Sequence, residues 1–175
     1  MAKINVLDRQ VAELIAAGEV VERPASIVKE LVENAVDAGA TKITVEIQGG
    51  GVRYIRVTDN GSGIPREDVK NAFLRHATSK VRVQEDLGHI TTMGFRGEAL
   101  ASIAAMCRVE MLTRTADEIA GTRYTIAGGE PGELADAGCP VGTTISVRDV
   151  FYNTPARMKF LKKDQLMQKR RDIFV

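Results

Sequence analysis

The chain has 175 residues, a length that corresponds to one domain. Hydrophobic residues make up 44% of it and charged residues 27%, close to the average of globular proteins, which argues against disorder and against a membrane protein. The formal net charge of +1 excludes a uniformly basic protein that coats nucleic acid. Because aromatic residues account for only 5% and tryptophan is absent, a stacking surface for single-stranded nucleic acid is not expected.

The near-neutral total hides an uneven distribution of charge. Residues 153–175 contain seven basic and two acidic side chains, whereas the rest contains 17 basic and 21 acidic ones. Cys107 and Cys139 form no C-x-x-C motif and only two histidines are present, which excludes a cysteine/histidine zinc site and indicates a reducing compartment. The beginning of the chain lacks the apolar core of a signal peptide, and the apolar stretch 99–106 is too short to span a bilayer. We therefore expect a cytoplasmic protein.

Apolar spacing and turn residues predict the elements in chain order. Helices are predicted over 8–17, 24–39 and 66–76. Between the second and third of these helices, a β-hairpin is predicted, with strands 42–48 and 52–59 around three glycines. A long loop over 77–93 precedes helices at 98–106 and 155–163 and strands at 108–114, 122–127 and 143–149. Helices combined with hairpin-linked strands predict a two-layer α/β sandwich and not a doubly wound sheet.

The helix predicted over 24–39 carries an acidic stripe opposite its apolar face. The stripe consists of Glu30, Glu33, Asn34 and Asp37, and one interpretation is the solvated side of an ordinary amphipathic helix. A solvated face usually mixes lysine with glutamate, however, whereas this stripe is acidic apart from one amide. Glu30 and Asn34 are one turn apart and can address the same point. A carboxylate that activates water beside an oxygen ligand for Mg²⁺ is what phosphoanhydride hydrolysis requires.

Two glycine-containing segments follow, and each is ambiguous alone. The segment DNGSGIP begins at Asp59, after a predicted strand, and is either a simple turn or a ligand loop. It is not a dinucleotide fingerprint, because Arg66 occupies the position of the third glycine, and no Walker motif is present. The segment GFRGEALASI, from Gly94, is either a linker or a glycine loop opening into a helix whose free amides suit phosphates.

The order of these segments resembles the ATP-binding motifs of the GHKL superfamily. The acidic helix with its asparagine, the Asp-x-Gly-x-Gly segment, the glycine loop before a helix and GTT at 142–144 occur in that order. The segments IAAGEVVERPASIVKELVENAVDAGAT, RHATSK, GFRGEALASI, PVGTT and FYNTPARMKFLK are similar to the MutL branch of mismatch-repair ATPases. This resemblance extends from Ile15 to Lys162. It implies the GHKL, or Bergerat, fold: α+β, a mixed and mostly antiparallel sheet with helices on one face.

The resemblance implies chemical roles for four residues. Glu30 would be the general base that takes a proton from the attacking water. Asn34 would bind Mg²⁺ through its side-chain oxygen. Asp59 would accept a hydrogen bond from the amino group of adenine, with Thr143 supporting that contact. ATP and Mg²⁺ are the implied cofactors.

The remaining implied contacts surround the nucleotide. Gly61 and Gly63 would permit close approach to the base and sugar. Ala77, Thr78, Ser79 and Lys80 would begin a lid that continues to Met93. The phosphates would be surrounded by backbone amides of the seven residues Gly94, Phe95, Arg96, Gly97, Glu98, Ala99 and Leu100.

The resemblance also implies partners and limits. ATP would order the lid and the N-terminal arm so that two ATPase domains dimerise, and the dimer would coordinate a mismatch-recognition protein, a strand-nicking endonuclease and a helicase on DNA in a nucleoid-associated setting. Residues 1–162 are expected to form the ATP-binding domain, incomplete at its C-terminal end, and 163–175 a basic tail with no match to the family. A nucleotide-binding or DNA-interacting fragment without significant turnover is the alternative. Histidine kinases and topoisomerases lack the GFRGEAL and FYNTPAR segments.

Overall fold

The computed structural model describes residues 6–75 and 98–161. Its helices are α1 (Arg9–Val20), α2 (Pro24–Asp37) and α3 (Ala99–Met106), and residues 155–161 are also helical. Its strands are β1 (Ile43–Gln48), β2 (Tyr54–Asp59), β3 (Arg108–Arg114), β4 (Gly121–Ala127), β5 (Glu130–Ala137) and β6 (Gly142–Arg148). In the described ranges, no helix combines the length and apolarity needed to cross a membrane. The loop predicted over 77–93 lies outside the described residues.

The six strands form one sheet in the order β1-β2-β6-β3-β4-β5. Every strand pair in this sheet is antiparallel, so the part of the chain that is described contains no parallel pair of the kind that a mixed sheet would include. The last strand, β6, lies between β2 and β3, and it therefore joins the hairpin to the second half of the chain. The predicted α+β sandwich is confirmed.

The core lies on one face of the sheet. Apolar side chains from four neighbouring strands stand opposite one another in register, namely Ile55, Val57, Ile145, Val147, Val109, Met111, Tyr124 and Ile126. Helix α2 adds Ile27, Leu31 and Ala35, which recur every fourth residue and so share one helix face. Helix α3 packs against α1 and adds Ile103 to the same core. The helices therefore cover the apolar face of the sheet.

Most predicted elements occur where the pattern places them. Helix α1 continues to Val20, three residues beyond the predicted end, and α2 ends at Asp37 instead of Gly39. The hairpin at 43–59 is present, with a short 3-10 turn at Gly49–Gly51 between its strands. The predictions of α3, β3, β4 and β6 are confirmed to within one residue at each boundary.

The α-helix predicted over 66–76 is wrong. Turns occupy 66–70, and only a 3-10 helix at Asn71–Phe73 follows before Leu74 becomes extended. The start of the segment is held by other parts of the chain: the backbone N–H of Arg66 donates to Glu118 at 2.9 Å, and its guanidinium pairs with Asp136 at 2.6 Å. These contacts fix a backbone path that an α-helix does not follow.

Strand β5 (Glu130–Ala137) has no counterpart among the sequence predictions. Pro131 and Gly132 are poor strand formers, and the apolar alternation of the other strands is missing. β5 pairs only with β4, at the edge of the sheet, and a register shift between Tyr124 and Ile126 accommodates the proline. An edge position is where a strand tolerates proline.

The segment 151–157 fastens the end of β6 to the helices. Phe151 is fully buried, with φ of +65°, and its N–H donates to the carbonyl of Met106 at 3.0 Å. The Arg157 guanidinium donates to the carbonyls of Gly18 and Val21 at 2.8 and 3.1 Å, at the end of α1. A cation there satisfies carbonyls that lack partners within the helix. The position of α1 is thereby tied to the chain after β6.

Phe151→Ala is expected to lower the free energy of unfolding by about 3–5 kcal/mol, because it leaves a cavity beneath the helices. Phe160→Ala is the matched control, since Phe160 is 71% exposed and its truncation should change stability by less than about 0.5 kcal/mol. Chemical denaturation monitored by circular dichroism measures both values. Equal losses for the two variants would show that Phe151 is not a core anchor.

Candidate functional site

The carboxylate of Asp59 lies at the end of β2 and organises the surrounding backbone. Its Oδ1 accepts hydrogen bonds from the N–H of Gly61 at 2.8 Å and from the N–H of Thr143 at 3.3 Å. Within residues 6–75 and 98–161, both hydrogen bonds to this side chain end on the same oxygen. The second oxygen, Oδ2, accepts no hydrogen bond from the described residues.

The pKa of Asp59 is raised above its ordinary value. Burial is the main cause, since removal from water disfavours the charged carboxylate, and the N–H donors of Gly61 and Thr143 partly offset it. An acceptor that is half withdrawn from water loses less hydration when a ligand donor approaches it than an exposed carboxylate does. The arrangement suits recognition of a polar N–H group.

A buried threonine supports Thr143, and sequence analysis did not identify it. Thr113, on β3, is fully buried, and its Oγ1 lies 3.0 Å from Oγ1 of Thr143. The same oxygen accepts the N–H of Ile64 at 2.9 Å and lies 3.1 Å from the carbonyl oxygen of Gly142. The sequence contained one signal that could have identified Thr113: it is a polar residue at the third inward-facing position of β3, after Val109 and Met111. A hydroxyl on a core-facing position requires partners.

Gly61 and Gly63 are required by the packing of the chain itself. A Cβ on Gly61 would lie 2.8 Å from the carbonyl oxygen of Ala38, at the end of α2. Gly63 has φ of +72°, and a Cβ there would collide with the carbonyl oxygen of Arg114. A side chain at either position would push the loop away from its neighbours. The two glycines thus hold the loop after Asp59 between α2 and β3.

Helix α2 brings Glu30 and Asn34 towards this loop. The N–H of Ser62 donates to the carbonyl of Ala38 at 2.9 Å, which joins the end of α2 to the loop after Asp59. Asn34 is one turn before Ala38, whose N–H donates to the Asn34 carbonyl at 3.0 Å. Glu30 lies one further turn back along the helix. The structure therefore brings the helix that carries both residues against the Asp59 loop.

The stripe on α2 is less purely acidic than the sequence indicated. The ammonium of Lys29 lies 3.1 Å from a carboxylate oxygen of Glu33 and 4.0 Å from one of Glu30. The hydrogen bond and charge of Glu33, followed by the charge of Glu30, raise the pKa of Lys29. The expectation of a stripe without lysine is thus corrected, since Lys29 neutralises Glu33 directly. Glu30 is the carboxylate less engaged by this lysine.

Of the other predicted site residues, three lie at the beginning of α3 and eight lie outside the described residues. Glu98 immediately precedes α3, and Ala99 and Leu100 are its first two residues. The hydrogen bonds that unite the Asp59 loop with Thr143 do not extend to Ala99 or Leu100. Eight predicted residues lie outside the described residues: Ala77, Thr78, Ser79, Lys80, Gly94, Phe95, Arg96 and Gly97.

No dedicated metal cage accompanies this site in the described part of the chain. Among residues 6–75 and 98–161, no three histidine, cysteine, aspartate or glutamate side chains converge as ligands. A cation that bound here would complete its coordination with water or with the ligand, as Mg²⁺ commonly does.

Comparisons with known proteins identify the family and the fold. A family model described as "Histidine kinase-, DNA gyrase B-, and HSP90-like ATPase" matches residues 22–127. The DNA mismatch repair protein MutL of Desulforamulus reducens is 59% identical over 162 residues, which cover 93% of this chain and 25% of that protein. The chain thus spans about a quarter of the length of the curated relatives that it matches.

Solved structures extend the similarity to the fold. The N-terminal domain of a DNA repair protein superposes with a TM-score of 0.73 at 30% identity, over 90% of this chain and 44% of that one. The Aquifex aeolicus MutL ATPase domain complexed with ADP gives a TM-score of 0.65 at 38% identity, over 86% and 52%. The resemblance predicted from the motifs is confirmed.

Asp59→Asn is expected to alter the dependence of stability on pH. Because burial raises the pKa of Asp59 in the folded chain above 3.8, the folded state holds this proton more tightly than the unfolded state. The parent's free energy of unfolding should therefore fall, relative to that of the variant, as pH rises from 3.8 through the raised pKa. Above that range the deficit should be constant.

Chemical unfolding from about pH 4 to about pH 7 measures this difference. Asp68→Asn, on the exposed turn after Pro65, controls for the change in net charge. A difference between the parent and Asp59→Asn that is the same at every pH would contradict the expectation.

Proposed function

Because the chain belongs to the family of histidine kinase-, DNA gyrase B- and HSP90-like ATPases, we propose that it binds ATP beside Asp59 and hydrolyses it as a switch module of DNA mismatch repair. The Asp59 carboxylate, with one oxygen held by two backbone N–H groups and the other available, is the observation that carries the proposal. The identity to MutL and the similarity to an ATPase domain complexed with ADP support it.

Adenine is recognised by acceptors at the end of β2 and the beginning of β6. Oδ2 of Asp59 accepts a hydrogen bond from the 6-amino group of the base, and Thr143, whose backbone N–H donates to Oδ1, supports that contact. Guanine presents a carbonyl oxygen at that position and would oppose the carboxylate. Gly61 and Gly63 hold the loop after Asp59 between α2 and β3, and the base and sugar are assigned to a position beside this loop. The resulting preference is for adenine nucleotides over guanine nucleotides.

Hydrolysis is assigned to Glu30, as the general base that accepts the proton of the attacking water. Its side chain is 25% exposed, so water reaches it, and Lys29 is nearer to Glu33 than to Glu30. The carboxylate is therefore accessible to an attacking water, as a general base must be. The proton moves from water to a carboxylate oxygen of Glu30 as the water oxygen bonds to the γ-phosphorus and ADP departs.

Asn34 fits Mg²⁺ as a single ligand. A side-chain amide oxygen suits this cation, which keeps several waters and takes its other ligands from phosphates. Among the described residues, no three histidine, cysteine, aspartate or glutamate side chains lie together as metal ligands, which agrees with such an open arrangement. When bound, the metal offsets the negative charge of the phosphates. Asn34 orients it from α2, one turn from Glu30.

The phosphates are assigned to the beginning of α3, at Glu98, Ala99 and Leu100. The first turn of a helix has N–H groups without partners within the helix and carries the positive end of its dipole. The side chain of Glu98 caps none of them. The motif resemblance assigns residues 94–97 to the same phosphate site and residues 77–93, beginning with Ala77–Lys80, to a lid, and both segments lie outside the described residues.

We extend the proposal to the wider role that the resemblance to MutL implies. ATP binding draws two copies of the ATPase domain together, and hydrolysis releases them, so that nucleotide state controls assembly. The dimer acts on DNA with a mismatch-recognition protein, a strand-nicking endonuclease and a helicase, in the cytoplasm at the nucleoid. The ATPase domain is assigned to residues 1–162, and the basic residues of 163–175 are assigned no role in it.

Glu30→Gln is expected to lower ATP turnover at least 100-fold while ADP affinity stays within about threefold, since a general base typically contributes 10²–10⁴-fold in rate. Glu33→Gln is the matched control, because Glu33 lies one turn away on the same face and pairs with Lys29. Phosphate release and calorimetric titration with Mg·ADP measure the two quantities. Equal turnover in the parent and Glu30→Gln would exclude the assigned base, and a parent that binds ATP without turnover would exclude hydrolysis.

A further inference from the structure

The hydroxyl of Thr113 has three partners, and two of them can act in only one direction. The Ile64 N–H, at 2.9 Å, can only donate to Oγ1 of Thr113. The carbonyl oxygen of Gly142, at 3.1 Å, can only accept from it. The third partner, the Thr143 hydroxyl at 3.0 Å, can act either way.

Proton counting gives one consistent direction for this third hydrogen bond when Thr113 donates to Gly142. A threonine hydroxyl has one proton to donate and two lone pairs with which to accept. Thr113 then uses its proton on the Gly142 carbonyl and one lone pair on the Ile64 N–H, so only a lone pair remains for Thr143. In that arrangement the hydroxyl proton of Thr143 points at Thr113. The lone pairs of Thr143 Oγ1 then remain as acceptors.

We propose that Thr113 is a positioning residue that fixes the hydrogen-bond direction of Thr143 and so makes the base site selective for a 6-amino purine. With its proton held by Thr113, the Thr143 hydroxyl is an acceptor on the residue whose backbone N–H donates to Oδ1 of Asp59. Acceptors on these two neighbouring residues match the amino group of adenine and oppose the 6-oxo group of guanine. The inference rests on the proposed function, because it requires that a purine nucleotide binds beside Asp59.

The burial of Thr113 makes this arrangement rigid. Its side chain is 0% exposed, so no water competes for the hydroxyl. The three partners belong to different parts of the chain, because Ile64 follows the Asp59 loop and Gly142 and Thr143 begin β6. A single hydroxyl thus ties β3 to both segments of the base site. Loss of the hydroxyl would free the Thr143 proton to rotate towards the ligand, where it could donate to the 6-oxo group of guanine.

The test compares ADP with GDP as calorimetric probes. Thr113→Val deletes the hydroxyl at nearly constant shape, Thr113→Ala deletes it with a smaller side chain, and Thr113→Ser restores it. Thr122→Val is the matched control, because Thr122 is 1% exposed and stands directly opposite Thr113 on β4. Thermal unfolding of every variant confirms that it is folded.

Thr113→Val and Thr113→Ala should each lower the ratio of ADP affinity to GDP affinity about tenfold, the effect of losing one hydrogen bond. Thr113→Ser and Thr122→Val should keep the parental ratio within about threefold. In a Thr143→Ala background, Thr113→Val should produce no further change, because Thr113 acts through Thr143.

A parental ratio in folded Thr113→Val or Thr113→Ala would overturn the inference, and so would the same loss of selectivity in the Thr143→Ala background. ADP binding by the parent with an unchanged ratio in these variants rejects only the role of Thr113. A parent chain that binds neither nucleotide rejects the proposed function and this inference with it.

Discussion

The carboxylate of Asp59 joins two segments that are 84 residues apart in the sequence. By accepting the N–H groups of Gly61 and Thr143 on one oxygen, it closes the end of β2 against the beginning of β6. The sheet order makes this contact possible, because β6, the last of the six strands described, is inserted beside β2. The base site, the glycine loop and the end of α2 all depend on that closure, and partial burial of the carboxylate is its energetic cost.

The sequence predicted correctly the elements whose own residues show a clear local pattern. The hairpin at 43–59 was found because both strands alternate and glycines separate them, and α2 because its apolar residues recur on one face. The segment 66–76 was predicted wrongly because Glu118 and Asp136, distant in sequence, hold Arg66 in a turn. β5 was missed because an edge strand that contains Pro131 has no alternation to detect. These two errors arise from tertiary contacts that override propensity.

The residues of the candidate site likewise fall into those that the sequence predicted and those that it did not. Asp59, Thr143 and the stripe on α2 were found through motifs, which record the types of residue but not their partners. Thr113 was not found, because its significance lies in hydrogen bonds to Ile64 and Thr143, which no spacing rule connects to β3. Lys29 was overlooked for a related reason, since the stripe was drawn without its neighbour one residue away. Long-range polar contacts of buried or half-buried side chains are what a single sequence conceals.

In the proposed function, the Asp59 carboxylate recognises the base by accepting a hydrogen bond from its 6-amino group. The most direct measurement is calorimetric titration of the parent and of Asp59→Asn with ADP and with GDP. An asparagine keeps an acceptor for Gly61 and Thr143 but replaces the second oxygen with an NH₂ donor. We expect the parent to bind ADP more tightly than GDP, and we expect Asp59→Asn to lose this preference or to reverse it towards GDP. An Asp59→Asn variant that is folded and prefers ADP as strongly as the parent would contradict it.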